Sequence, residues 1–377
     1  MTPKKSCTGC AACLSICPVN AIRMVKDNEG FVYPEINEKV CIDCGKCSRV
    51  CPVGQNKVHI DEPETYMAYS VDETVRKNSS SGGIFTLLAE RVLEKDGIVV
   101  GCALTEDCRT AHHVIIENKS DLYRLRGSKY VQSMVEDTLN RVKTELKNGR
   151  RVLFSGTPCQ IAGLKSFLDK TYNNLLTVDV ICHGTPSPLV WEKYVDFREK
   201  KANSKTNKVM FRNKVKGWKN YSLSFDFDNG SVYSSSITED LYLKGFVLNY
   251  YLRPSCYNCS FKSQNYYSDI TLADFWGINR IFSEENDDKG ISLVLLHNSN
   301  GKHAFDSIQD FCYSKKVVFD EAIKSNPSYF NSVPNNNIRK HFFHDLEKKK
   351  INSVLNKYCG NSFVTKIRRK IYNIFGG

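Results

Sequence analysis

The sequence predicts an α/β protein: a small cysteine-rich module at the N-terminus, then a layered, mainly parallel α/β body. Three observations predict it. Eight of the sixteen cysteines fall within the first 51 residues, in two runs of identical spacing. From residue 66 to residue 200, strand-like apolar runs alternate with helical patterns, the order that builds a parallel sheet covered by helices. The chain has 377 residues, 41% hydrophobic and 25% charged, a globular composition with length for two or three domains.

The N-terminal module, residues 1–57, is read from its cysteines. Cys7, Cys10, Cys13 and Cys17 are spaced C-x2-C-x2-C-x3-C and followed by Pro18; Cys41, Cys44, Cys47 and Cys51 repeat the spacing before Pro52. This duplication is the bacterial two-cluster ferredoxin pattern, in which the fourth cysteine of each run serves the other cluster. Cys7, Cys10, Cys13 and Cys51 are therefore assigned to one [4Fe-4S] cluster, and Cys41, Cys44, Cys47 and Cys17 to a second. Gly9 and Gly45 let the backbone approach the sulfurs. Zinc fits worse, because its sites use two C-x2-4-C pairs with a longer spacer.

After the module, residues 66–70 read as a strand. Residues 82–95 read as a helix, with Ile84, Leu87, Leu88 and Val92 on one face and Ser81 as N-cap. Strands follow at 97–104 and 112–116. A helix over 135–146 ends at Asn148-Gly149, and residues 151–154 form a strand. The helix over 158–168 has proline in its first turn, residues 175–181 form a strand, and 189–200 a helix. Further on, strands 221–227 and 231–237 flank an Asp228-Asn229-Gly230 turn as a hairpin. Residues 291–297 form another strand, and 338–377 read as a basic helical tail.

A second cysteine set lies in the body. Cys159, in FSGTPCQIAG, and Cys182, in VICHGTPS, each follow a strand and so lie at the carboxyl edge of the sheet, where α/β proteins place ligands. Cys256 and Cys259 form a C-x2-C. Three readings stand: a third [4Fe-4S] cluster, a structural zinc, or a reactive Cys159 thiol beside unrelated cysteines. Cys102, Cys108, Cys312 and Cys359 receive no role. His112 and His113 are strand neighbours and point to opposite faces, one buried and one exposed, which argues against a shared metal. His183 reads as a residue that orients backbone. Neither G-x-G-x-x-G after a strand nor G-x4-G-K-[ST] occurs.

These segments carry a resemblance. SSSGGIF (79–85), GSKYVQS (127–133), SGTPCQIAGL (155–164), ICHGTPSP (181–188) and C-x2-C before DITLADFWG (269–277) occur in that order. Over residues 65 to 320 the chain resembles the coenzyme F420 hydrogenase/dehydrogenase beta-subunit family, which includes formate dehydrogenase beta subunits and a plant 7-hydroxymethyl chlorophyll a reductase. The resemblance divides the body into an N-terminal part, 65–150, and a C-terminal part, 151–325. It implies FAD and an iron–sulfur cluster there, with Cys159, Cys182, Cys256 and Cys259 as cluster ligands. Candidate flavin contacts are Ser80, Ser81, Gly82 and Gly83, a glycine-rich turn before a helix, then Gly127, Lys129, Tyr130, Gln132 and Ser133, and finally Asp274 and Trp276. The implied activity is an oxidoreductase passing electrons between clusters and FAD, and on to a two-electron substrate or carrier such as an F420-type deazaflavin. The alternative is a non-catalytic electron-transfer subunit docking to a separate enzyme, in surface-polysaccharide biosynthesis for example. No catalytic residue is assigned.

The formal charge of +12 would suggest nucleic acid as a partner. Residues 338–377 hold ten Lys/Arg and two Asp/Glu, so +8 of it lies in the tail. Each cluster with four thiolates adds about −2, so three lower the total to about +6. The reading is therefore a redox partner protein or ferredoxin and no specific nucleic acid. The tail is a solvated face or docking arm, with a weak membrane-surface contact second. No stretch reaches the ~18 apolar residues of a membrane span, and MTPKKSCTGC lacks the apolar core of a signal peptide, so a cytoplasmic location is expected.

Overall fold

A computed structural model describes residues 2–55, 61–262 and 267–361. The N-terminal module is an antiparallel hairpin, β1 (Ile22–Lys26) and β2 (Val32–Ile36), with two single-turn helices, α1 (Ala12–Ser15) and α2 (Lys46–Arg49). Each helix starts after a residue in the left-handed region, Ala11 (φ 63°) and Gly45 (φ 68°). The sequence repeat is thus a repeat of local backbone, each turn lying inside a cysteine run.

The chain continues through β3 (Glu64–Ser70), β4 (Ile98–Leu104), β5 (Ala111–Ile116), β6 (Ser133–Met134), β7 (Val152–Ser155) and β8 (Leu175–Val180). It then forms β9 (Thr206–Asn213), β10 (Ser222–Phe227), β11 (Val232–Ser236), β12 (Ile270–Asp274), β13 (Ser292–Leu296) and β14 (Cys312–Lys316). Nine strands form one sheet in the order β14-β3-β13-β12-β8-β7-β4-β5-β6. Its centre, β12-β8-β7-β4, is parallel, as expected. Antiparallel pairings flank it, β12 to β13, β13 to β3 and β3 to β14 on one side and β4 to β5 on the other, so the whole sheet is mixed. The reason is connection length. The loop between β4 and β5 is too short for the crossover that a parallel pair requires.

The helices are α3 (Glu73–Asn78), α4 (Ile84–Leu93), α5 (Thr138–Lys147), α6 (Pro158–Leu168), α7 (Pro188–Ala202), α8 (Leu241–Val247), α9 (Ser299–Asp306), α10 (Phe319–Ile323), α11 (Ile338–Lys348) and α12 (Ile351–Cys359). Strand alternation distributes the core between two faces. Val99 and Leu153 pack with Leu87 and Leu88 of α4, whereas Val100, Val152 and Phe154 pack with Leu139 of α5 and Ile161 and Leu164 of α6. Burying both faces with helices on each is what fixes this layered arrangement.

A second core forms where the small antiparallel sheet β9-β10-β11 meets α7, α8, α11 and α12, around Trp191, Tyr194, Phe225, Tyr242 and Phe342. This corrects the reading of the tail as a solvated arm. Phe342, Phe343, Leu346, Val354, Leu355 and Tyr358 are buried, and only the opposite, charged face meets solvent. The amphipathic period that looked like a solvated face is a core-facing stripe. Residues 362–377 lie outside the described residues.

Candidate redox centres

The first cysteine set surrounds one cavity. Cys7, Cys10, Cys13 and Cys51 line it, together with Gly9 and Cys47. Cys51 thus crosses from the second run to the first, and Thr2 Oγ1 lies 2.9 Å from its sulfur. Burial pushes the Cys10 thiol up to about 11 and Cys13 to about 12, and the charges of neighbouring thiols in the set add to this. Thiols so disfavoured as anions need a cationic core to become ligands, and the donor set fits an iron–sulfur cluster. For the other set, Cys41 and Cys44 lie at the surface and Cys17 Sγ accepts from Ala21 N at 3.2 Å.

The second cysteine set gathers at the carboxyl ends of the central strands. Cys159 lies in the first turn of α6, just beyond β7; Thr157 caps that helix with Gln160 in a reciprocal capping box. Cys182 follows β8. Cys256 and Cys259 lie in and after the short turn Pro254–Asn258. The four sense each other's charge: Cys259, Cys182 and Cys256 all raise Cys159, after its burial. Backbone donors already face two of the sulfurs, Thr185 N to Cys256 (3.3 Å) and Phe261 N to Cys259 (3.4 Å), and Cys159 Sγ lies 3.2 Å from Thr157 Oγ1, which itself donates to Gln160 Oε1. Such N–H···S bonds tune cluster potentials. All sixteen cysteines are free thiols.

The flavin candidates divide. Ser80 Oγ accepts from Ser128 N at 2.8 Å, so the 80–83 and 127–128 loops meet. Ser81 is not the N-cap of α4: Gly83 is, at φ 93°, and the Ser81 hydroxyl donates to Ile291 O instead (2.8 Å). A Cβ on Gly82 would come within 2.4 Å of Ala68 O, so that glycine admits β3 beside the loop. Gly127 (φ 79°) borders open space. Lys129 donates to Arg124 O and Arg126 O, both at 2.9 Å, and burial lowers its ammonium to about 8. Tyr130 stacks on Phe246 (4.7 Å). Asp274 accepts from Trp218 Nε1 (2.7 Å) and pairs with Arg212, while Trp276 stacks on Trp218 (4.8 Å, 9°).

Gln132 and Ser133 each have a protein partner. Gln132 Oε1 accepts from Arg253, and Ser133 Oγ lies 2.8 Å from His113 Nδ1. His113 is the buried member of its pair. His183 Nε2 is 2.7 Å from Asn249 Oδ1 and its ring meets Phe246 edge-on (5.0 Å).

Two cations missed in the sequence complete this region. Arg212, on β9, is buried beside Asp274, Tyr130 and Tyr221, yet its Nε and Nη2 have no hydrogen-bond partner. Lys214 donates to Arg76 O (2.6 Å), Ser81 O (3.0 Å) and Lys289 O (2.6 Å); burial, with Arg212 and Arg76 nearby, lowers it to about 7. Buried donors left open beside a serine–glycine loop and an aromatic stack fit an anionic, planar cofactor. No spacing rule links Arg212 to Asp274; only the packing of the small sheet against the large one brings them together.

Among the described residues, no helix is long and apolar enough to cross a membrane. Comparison with curated proteins found no significant match. Among solved structures, a chain of the F420-reducing [NiFe] hydrogenase complex from Methanosarcina barkeri is similar, with TM-score 0.47 and 17% identity, covering 84% of this chain and 94% of that one. A family model for a 4Fe-4S dicluster domain matches residues 6–55. Models for the N-terminal and C-terminal parts of the coenzyme F420 hydrogenase/dehydrogenase beta subunit match residues 65–140 and 149–317. The chain therefore belongs to the coenzyme F420 hydrogenase/dehydrogenase beta-subunit family, as an iron–sulfur electron-transfer member with an N-terminal dicluster domain.

Proposed function

We propose that the protein is an iron–sulfur flavoprotein oxidoreductase with three [4Fe-4S] clusters and one FAD, linking a one-electron partner to a two-electron substrate or carrier. The observation that carries this reading is the open Arg212 guanidinium, buried against Asp274 and Tyr130, with Lys214 close by and bonded to the Ser81 carbonyl. Iron–sulfur centres move single electrons, and a flavin joins them to two-electron chemistry. This chain's residues would supply the rest. Cys159, Cys182, Cys256 and Cys259 would hold the third cluster.

The spatial order supports a relay. Gly163 of α6 touches Cys10: a Cβ there would lie 2.7 Å from the Cys10 Cβ. Cys159 is one helical turn earlier on the same face. On the other side, Phe246 lies between His183, next to Cys182, and Tyr130 of the cation-lined region. Arg212, Lys214 and the Ser80–Gly83 loop would bind and orient the flavin, and the Trp218–Trp276 stack would exclude water from one side.

Anaerobic purification with iron and flavin determination tests this. The expectation is about twelve irons and one FAD per chain, with Arg212→Met keeping its iron and losing most of its flavin. Eight irons with one zinc would overturn the third cluster, and a wild-type chain without flavin would overturn the reductase. A loaded chain that passes no electrons from a hydride donor to a dye would instead be a relay subunit.

A further inference from the structure

One buried arginine joins the two iron–sulfur regions. Arg253 is 1% exposed. Its backbone belongs to the second cysteine set: its N–H donates to Thr185 O (2.8 Å) and its carbonyl accepts from Cys256 N (2.9 Å). Its side chain belongs to the first. Nε donates to Cys7 O (2.7 Å), Nη2 to Val32 O (2.9 Å) and Nη1 to Gln132 Oε1 (2.7 Å), while Nη2 approaches Cys7 Sγ at 3.8 Å. The guanidinium lies over the Tyr33 ring, 4.3 Å from its centre. Gly9, between Cys7 and Cys10, makes room for it: a Cβ there would be 2.5 Å from Gln132 Nε2 and 3.1 Å from Arg253 Nη1.

The cation has no carboxylate partner among the described residues. Its acceptors are two carbonyls, an amide and a sulfur. Burying an unpaired charge is costly, so a compensating negative charge belongs beside it. A [4Fe-4S] core with four thiolates carries about −2 when oxidised, and reduction adds one more negative charge. In a low-dielectric interior the nearby cation favours the reduced form.

We propose that Arg253 is a positioning residue for electron transfer: it clamps the cluster held by Cys7 against the Cys256 turn and raises that cluster's reduction potential, so electrons crossing between module and body collect there. The step is gain of one electron by that cluster, with no bond made or broken. The inference rests on the reading of Cys7 and Cys256 as ligands of separate clusters.

The test is a redox titration of the anaerobically purified holoprotein with dithionite, followed by electron paramagnetic resonance, for wild type, Arg253→Lys and Arg253→Met. In Arg253→Met the ratio of reduced to oxidised first cluster should fall about tenfold at any fixed potential, a shift of about 59 mV for one electron. Arg253→Lys should retain most of the potential. An Arg253→Met protein with full iron and wild-type potentials overturns the proposal. A second measurement needs no variant: in wild type labelled with 15N-arginine, pulsed resonance of the reduced protein should show coupling from an arginine nitrogen to one N-terminal cluster, and its absence also overturns the proposal. Eight irons per chain would instead count against the third cluster while leaving both readouts measurable.

Discussion

His113 shows how a single side chain answers two questions at once. It is 6% exposed, stacks on Phe154 (5.4 Å), and its ring nitrogens lie against Ser133 Oγ and Ser155 O. Burial pulls its pKa down to about 4, against the pull of the Ser155 carbonyl. An unfolded histidine binds its proton near 6.5. Between those values the unfolded chain holds more protons, so this residue destabilises the fold as pH drops from about 6.5 to about 4, by up to about 3 kcal/mol. Melting curves at several pH values should therefore fall less steeply over that window in His113→Gln than in wild type; identical slopes would remove His113 from the account. The same contact gives Ser133, a candidate flavin contact, a histidine as its partner, and no spacing in the sequence marks that pairing. Arg212, Lys214 and Arg253 were illegible for the same reason: each acts on residues far away in the chain, with no periodic or spaced signal. The cysteine runs were legible because their ligand geometry is imposed over a few consecutive residues.

At the scale of elements, α6 matters most. Its start was legible from Pro158 in the first turn, and the structure adds the Thr157–Gln160 capping box. Its other task was not. No spacing or motif rule marks Gly163, yet it is the surface on which α1 and Cys10 rest. Gly163→Val would force branched bulk into a space where even one carbon lies 2.7 Å from Cys10. Overpacking of this kind costs about 1–3 kcal/mol, and here the module is expected to shift rather than the helix. The variant should lose iron and melt earlier while its far-ultraviolet helix signal stays near wild type; full iron content and unchanged melting would show that the module does not lean on α6. The strands follow the same division. In the sheet centre β4, β7 and β8 were read from their apolar runs, whereas β12 was missed, as were β1, β2, β6, β9 and β14. β9 and β14 carry charged residues facing solvent, which dilutes the alternation that marks a strand.

Across the whole molecule, the two ends of the chain hold one another. Glu29, in the β1–β2 turn, pairs with Arg339 of α11, whose Nε donates to Leu252 O (2.9 Å), and Ser187 at the start of α7 donates to Glu29 O. The basic tail is thus a clasp as well as a core element, and its charge says little about nucleic acid. Its buried face packs on α7 and α8, whose Trp191 and Tyr242 in turn meet Phe211 of β9, the strand that carries Arg212. A chain ending at residue 337 would leave Tyr250, Tyr251 and Phe246 exposed where Phe342, Leu355 and Tyr358 now cover them. Removing that many large apolar contacts exceeds the margin of a typical domain. The truncated protein is expected to aggregate or to be cut by protease within the region from 200 to 260, and to lose the proposed flavin before it loses the N-terminal iron, whose ligands lie in the other core. If the truncated chain kept the proposed flavin and melted like the full-length protein, the tail would be an appendage after all, and α7 and α8 would have to hold the Arg212 region without the helices packed on them.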